Sequence, residues 1–281
     1  MFCYQCEQTS KGEGCQAVSV CGKDETSAVL QDLLIYAVKG ISMYAHRARQ
    51  LGAGDPEIDV FTIRAIFATL TNVNFDADRL VELIHLAVAA RNAARELYEN
   101  ACRQAGTSPE KLAGAATWIP AATLPELMDQ GRQAFLPDRF LTEGKEIANL
   151  QELVLYGIKG VCAYLAHAVA LGAGDPQSFA KIHEVMDSLT RPAPSAETLL
   201  ATALAVGELN YRVMEVLDKV HTETFGHPQP AKVRVQPRRG KAILVSGHDL
   251  HDLYLLLEQT QGMGIQVYTH GEMLPAHGIP S

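Results

Sequence analysis

The stretch Leu30-Gln-Asp-Leu-Leu-Ile-Tyr-Ala-Val-Lys-Gly40 returns 120 positions later as Leu150-Gln-Glu-Leu-Val-Leu-Tyr-Gly-Ile-Lys-Gly160. Leu51-Gly-Ala-Gly-Asp-Pro56 returns as Leu171-Gly-Ala-Gly-Asp-Pro176 at the same offset. A pattern written twice has to fold twice in the same way, so the repeat fixes most of the architecture. Leu30, Leu33, Leu34, Ala37, Val38, Ile41, Tyr44, Ala48 and Leu51 recur at three- and four-residue steps, which predicts one face of a long helix. Asp24 or Thr26 caps its start and Gly52 ends it. Asp55-Pro56 opens a second helix, with a capping carboxylate ahead of proline. A third runs from about Asp76 to Asn100 and returns more loosely between Ser195 and Val220. Each unit therefore reads as a three-helix bundle, over about 26–102 and 147–221. Two copies are too few for a solenoid, so each buries its apolar face on its twin or on another domain.

Between the copies, residues 103–146 carry Pro109, Pro120, Pro125, Pro137 and the only tryptophan, Trp118. Short helices and turns are expected there, packed across both bundles. After His221 the composition changes. Pro228, Pro230 and Pro237 mark a boundary, and Lys241–Ser246 reads as a buried parallel strand. Asp249–Gln261 reads as a helix, and 264–268 as a second strand. This is a β-α-β unit, the start of a Rossmann-like α/β domain. The predicted class is thus an all-α domain of two repeated three-helix bundles followed by an α/β domain. The expected boundaries are 1–23 for a cysteine loop, 24–225 for the helical domain and 226–281 for the α/β part. Two parallel strands cannot cover their own edges, so a further segment or a second chain is expected to complete the sheet.

Chemistry concentrates in that cysteine loop. Cys3, Cys6, Cys15 and Cys21 are spaced C-x2-C-x8-C-x5-C, with glycines at 12, 14 and 22. The short first spacing aims two sulfurs one way, and the glycine loop brings the other two back with backbone N–H groups free to point at sulfur. Four thiolates suit a tetrahedral zinc ion or an iron-sulfur cluster; the second spacing, wider than a zinc knuckle, favours the cluster. Disulfides are disfavoured, because no export signal is visible and a reducing cytoplasm is the default. Cys102 and Cys162 lie on apolar helical patterns and read as small buried residues.

The composition excludes other classes. A formal charge of −8, from 24 Lys and Arg against 32 Asp and Glu, argues against nucleic acid as a partner. No uninterrupted apolar run approaches the length that spans a bilayer, so a membrane is not expected either. A P-loop, a nucleophile elbow and a dinucleotide glycine fingerprint are missing.

A second constellation falls at the strand ends. In a right-handed β-α-β unit the loops after Ser246 and Tyr268 leave on one edge, which places His248 beside Glu272. An imidazole and a carboxylate there are competent to share a metal. The plainer reading makes Asp249 a helix cap and leaves His248 held by backbone. His251, His270 and His277 are competing ligands by proximity.

Together, FCYQCEQT, LQDLLIYAVKG, VSGHDLHDLYLLLEQT and VYTHGEMLPAHGIP resemble the hybrid cluster protein family, also called prismane proteins or hydroxylamine reductases. The resemblance covers Met1 to Ser281. It implies a [4Fe-4S] cluster on Cys3, Cys6, Cys15 and Cys21. It also implies a second, hybrid iron-sulfur-oxygen cluster, with His248 and Glu272 matching its histidine and its first glutamate. The other ligands of that cluster lie in the family's second half, beyond Ser281. The implied activity is reduction of hydroxylamine to ammonia and water, and of nitric oxide, fed by a redox donor protein; the chain alone is expected to be inactive. Two alternatives remain at this point: a [4Fe-4S] electron-transfer or docking module, and a zinc-stabilised structural protein.

Overall fold

The computed structural model describes residues 3–6, 14–16, 19–71, 73–133 and 136–280. It resolves into two compact units, residues 1–166 with 175–213, and residues 167–174 with 214–281. A largely helical region precedes a two-stranded sheet.

The repeat is visible in the element boundaries. Helix α1 (Glu25–Gln50) and helix α6 (Lys145–Ala170) are each 26 residues long. Helix α2 (Pro56–Ala68) and helix α7 (Pro176–Ser188) are each 13. Helix α3 (Ala77–Ala105) answers α8 (Ala196–Phe225). Asp24 caps α1 by accepting from the Ser27 amide, so Thr26 is not the cap; the helix closes at Leu51, one residue before Gly52. Asp55 and Asp175 cap α2 and α7, each with proline at the first turn. α3 runs past Asn100 to Ala105, where Gly106 takes the left-handed conformation that ends it.

In the first unit α1 is the central element and packs against α2, α3, α4 (Leu124–Gln133) and α7. Leu30, Leu33, Leu34, Val38 and Ile41 are almost fully buried, as the apolar periodicity requires. The connection between the repeats also holds α5 (Leu136–Thr142) and a short 3-10 turn at Gly114–Ala116. That turn lies so close to α1 that a Cβ on Gly40 would sit 2.2 Å from the Ala115 carbonyl oxygen. A Cβ on Gly157 of α6 would likewise meet Val206 of α8 at 2.6 Å, where the first repeat carries Ala37.

α1 and α7 are joined by buried polar contacts. His183 of α7 lies 3.0 Å from the Ser42 hydroxyl and 3.0 Å from the Asp59 carboxylate. Arg49 also pairs with Asp59, and Arg47 bonds Asp187 at 2.6 Å. Desolvation makes such groups costly unless each is paired, and each of these is.

α6 departs from the expectation drawn from apolar runs. Among the described residues it is the one helix long and apolar enough to cross a membrane, and 61% of its most apolar window is buried inside the fold. Core burial accounts for that composition. Cys102 and Cys162 are buried, as read from the sequence.

In the second unit β1 (Lys241–Ser246) pairs in parallel with β2 (Ile265–His270), Lys241 opposite Ile265 and Ser246 opposite His270. The helix α9 (Leu250–Thr260) connects them. β1 is not the buried strand its apolar run predicts. Its residues are exposed or half-buried, and Leu244 is 71% exposed. The reason is geometric: a strand is buried when layers cover both faces of its sheet, and the sheet among the described residues has two strands.

Candidate functional site

The cysteine loop is organised by its backbone. Cys3 and Cys15 form an antiparallel bridge, with the Cys3 amide donating to the Cys15 carbonyl at 3.0 Å and the reverse bond at 2.6 Å. This brings the two halves of the motif side by side. Gly14 and Gly22 both have positive φ, 96° and 89°, which is the backbone freedom the loop needs to double back. Gly12 lies outside the described residues. Thr71 ties the loop to the helical core, its hydroxyl donating to the Gln5 carbonyl at 3.1 Å. Tyr4 packs edge-on against Tyr156 of α6, ring centroids 5.5 Å apart.

Cys15 is buried, Cys3 and Cys6 are half-buried and Cys21 is exposed; all four are free thiols. The Lys23 ammonium is almost fully buried, 3.8 Å from the Cys3 sulfur and 2.8 Å from the Gln31 side-chain oxygen. Among the described residues no three His, Cys, Asp or Glu side chains gather around one point as ligands of a single ion would. The donor set, four thiols with the backbones of Cys3 and Cys15 paired, is one that a tetrahedral zinc ion or a cubane with one cysteine on each iron accepts.

The second site lies wholly in the sheet-bearing unit. Gly247 (φ 137°) follows β1 and Gly271 (φ 59°) follows β2, and both loops turn out at the carboxyl edge. There the structure brings His248 and Glu272 together, Nδ1 to Oε2 at 3.0 Å. Asp249 has two tasks. Its Oδ1 accepts from the His251 and Asp252 amides and caps α9; its Oδ2 lies 2.9 Å from His167 Nδ1. The His167 hydrogen bond, more than the helix amides, holds the Asp249 carboxyl down at about 2. The His167 and His248 rings meet edge to face with centroids 5.0 Å apart.

The competing histidines go elsewhere. His270 faces the Ser246 hydroxyl at 3.4 Å, His277 faces the Thr269 hydroxyl at 2.6 Å, and His251 contributes its amide to the cap. His167 escaped the sequence reading. It sits near the end of an apolar helix, 81 positions before His248, and no local pattern links the two. The available signal was the repeat itself, since the counterpart of His167 is Arg47 and the two copies diverge there.

The model of the prismane/CO dehydrogenase family matches residues 1–281. The chain is similar to a hydroxylamine reductase of Rhodospirillum rubrum, 49% identical over 280 residues, covering 100% of this chain and 51% of that protein. It is 47% identical to a hydroxylamine reductase of Acidiphilium cryptum and 50% identical to one of Burkholderia ambifaria, with the same coverage. The chain spans about half the length of the curated relatives it matches.

Proposed function

Because this chain belongs to the prismane/CO dehydrogenase family, we propose that it forms part of an iron-sulfur oxidoreductase that reduces hydroxylamine. Cys3, Cys6, Cys15 and Cys21 would hold a [4Fe-4S] cluster, and His248 with Glu272 would supply two ligands of a hybrid iron-sulfur-oxygen cluster. The remaining ligands would come from the other half of the full-length relative. The observation that carries the reading is the 3.0 Å approach of His248 and Glu272, residues 24 apart in sequence that meet at one sheet edge. We read the helical domain as two repeated three-helix bundles over 24–225, and 226–281 as the opening of an α/β domain. A reducing cytoplasm suits the free thiols. Nitric oxide is a second N–O substrate of the same class.

Reducing hydroxylamine to ammonia and water breaks one N–O bond and consumes two electrons and two protons. When bound, the clusters would supply the electrons, received from a redox donor protein. This chain's residues answer for the protons and for orientation. Glu272 is well exposed beside the His248 imidazole, so a proton can pass between Oε2 and Nδ1 and out to solvent. Asp249 and His167 fix the chain segment carrying His248: one carboxylate caps α9 and holds the neighbouring imidazole. Glu272→Ala or His248→Ala should therefore abolish hydroxylamine reduction in the full-length protein while leaving the cysteine-bound cluster spectroscopically intact.

Iron and acid-labile sulfide after anaerobic reconstitution test the cysteine assignment, with about four of each per chain expected. Stoichiometric zinc without iron would sink it and favour the structural reading. Two cluster signals in the 281-residue chain alone would show that it already holds a complete centre. One signal without hydroxylamine turnover is the expected result, and it is also what an electron-transfer module would give; the full-length activity of the Glu272 variant separates these.

A further inference from the structure

The positions that recur between the repeats are polar as well as apolar. Asp32, Tyr36 and Lys39 of α1 answer Glu152, Tyr156 and Lys159 of α6, and all six line one cavity of about 550 Å3 within the helical unit. Of the four loop cysteines only Cys3 touches it, so it adjoins the thiol site without being that site. Its volume is that of a small-molecule pocket and far above the share of a single water.

Charged side chains turn toward an interior only when something there satisfies them. Glu152 is satisfied by Arg139 at 2.5 Å and by the Tyr4 hydroxyl. Lys159, 2% exposed, donates to the Thr69 carbonyl at 3.3 Å, which leaves two of its protons. Asp32 and Lys39 differ: among the described residues neither has a hydrogen-bond or ion-pair partner. Lys159 is the opposite charge that acts most strongly on Asp32, yet no ion pair joins them. Five cationic side chains, Lys23, Lys39, Arg139, Lys159 and Arg191, border the cavity against three acidic ones, Asp32, Glu143 and Glu152.

We propose that this cavity binds a small dianion, a dicarboxylate or an oxyanion, held between Lys39 of the first repeat and Lys159 of the second. Two ammonium groups at equivalent positions, in a cavity whose cationic side chains outnumber its acidic ones, match a ligand with two negative charges. Asp32 does not oppose it. Burial pushes the Asp32 carboxyl up to about 7, against the lowering effect of Lys159, Lys23 and Lys39 and with the raising effect of Glu152. Near neutral pH it takes up a proton and donates to the ligand. Burial pulls Lys159 down to about 8 and Lys39 below its ordinary 10.5, in each case against the raising effect of Glu152 and Asp32, and a bound dianion favours the charged form of both. Binding should then tighten as pH falls through the Asp32 value, because the protonated carboxyl is the form the dianion prefers.

Isothermal titration of the 281-residue chain with sodium succinate, and separately with sodium sulfate, tests this one pH unit either side of the Asp32 value, with sodium chloride as the control. Saturable binding of one anion that is tighter at the lower pH is expected, and the two arms identify the ligand as carboxylate or oxyanion. Lys39→Met and Lys159→Met should each weaken it at least about tenfold, about 1.4 kcal/mol. Lys219→Met, on the exposed surface, should leave it unchanged. Asp32→Asn should keep binding and lose the pH dependence. Thermal melts of the same variants show whether each is folded, and the anion should raise the melting temperature of the wild type but not of the lysine variants. Absence of saturable heat and of any melting shift with both anions at the lower pH overturns the proposal. So does binding that both lysine variants retain in full.

Discussion

α1 and α6 share length, starting register and polar pattern, yet their equivalent side chains live in different states. Glu152 and Lys159 are tied down by Arg139, Tyr4 and Thr69, whereas Asp32 and Lys39 have no such partner among the described residues. Arg139 and Tyr4 come from segments outside the repeated pattern, α5 and the cysteine loop, and Thr69 closes α2. A repeat therefore dictates which residue types face inward, and the unrepeated segments decide which copy is satisfied. The difference is large enough to measure, one pair of equivalent positions at a time.

The strongest contrast is steric. Gly40 and Gly160 end the same motif, but a Cβ at 40 meets the Ala115 backbone at 2.2 Å and one at 160 meets nothing within 4 Å. Gly40→Ala should cost about 3 kcal/mol by overpacking. Gly160→Ala should stabilise by about 0.5–1 kcal/mol, the helix propensity of alanine over glycine. Urea unfolding of both variants checks this, and similar destabilisation by the two would refute the packing difference.

The paired acids come next. Glu152→Ala takes one carboxylate from Arg139, which keeps Glu143 and Gln151, and should cost about 1–2 kcal/mol, under the usual loss for a broken buried pair. Asp32→Asn removes a buried charge without a partner and should leave stability unchanged or raised. An equal loss in both variants would show that the asymmetry between the repeats carries no energy.

Asp55 and Asp175 cap equivalent helices with unequal support. Among the described residues the Asp55 side chain accepts from the Glu57 and Ile58 amides alone, whereas Asp175 also binds Arg212 through two bonds of 2.6 and 3.0 Å. Asp55→Ala should cost about 1 kcal/mol and Asp175→Ala about 2. Arg212 holds the Asp175 carboxyl below its ordinary 3.8. Its contribution is complete above that value and disappears as pH falls beneath it, so Asp175→Ala should flatten the acid limb of a stability-against-pH curve.

The smallest effect belongs to His183, which stands where the first repeat has Ile63. Burial pulls its imidazole below the ordinary 6.5, against the raising influence of Asp59, so the fold keeps it neutral. Stability from that choice is full above 6.5 and shrinks as pH falls below it, because the unfolded chain takes up the proton first. His183→Ile should reduce the slope below that pH; an unchanged slope would assign it to other histidines.

Much of this was legible in advance because it depends on neighbours in sequence. Apolar spacing located α1 through α3, Asp-Pro pairs located the starts of α2 and α7, and the apolar runs flanking α9 located the strands. The His248–Glu272 approach was legible too, since parallel strands joined by one helix place their following loops on one edge. His167 was not, because its contact with Asp249 joins segments with no shared local pattern. The exposure of β1 was misread for a related reason: an apolar run reports what a strand is suited to bury, and only neighbouring layers determine what it does bury.

The sequence by itself determined helix positions, caps, the strand pairing and the residue types turned inward, because spacing and local hydrogen bonding act within a few residues. Only the tertiary structure decided that Gly40 is crowded and Gly160 open, that among the described residues Lys159 is bonded while Lys39 is not, and that the two polar faces border one cavity. Those outcomes depend on distances between segments far apart along the chain, which packing sets and local periodicity does not encode.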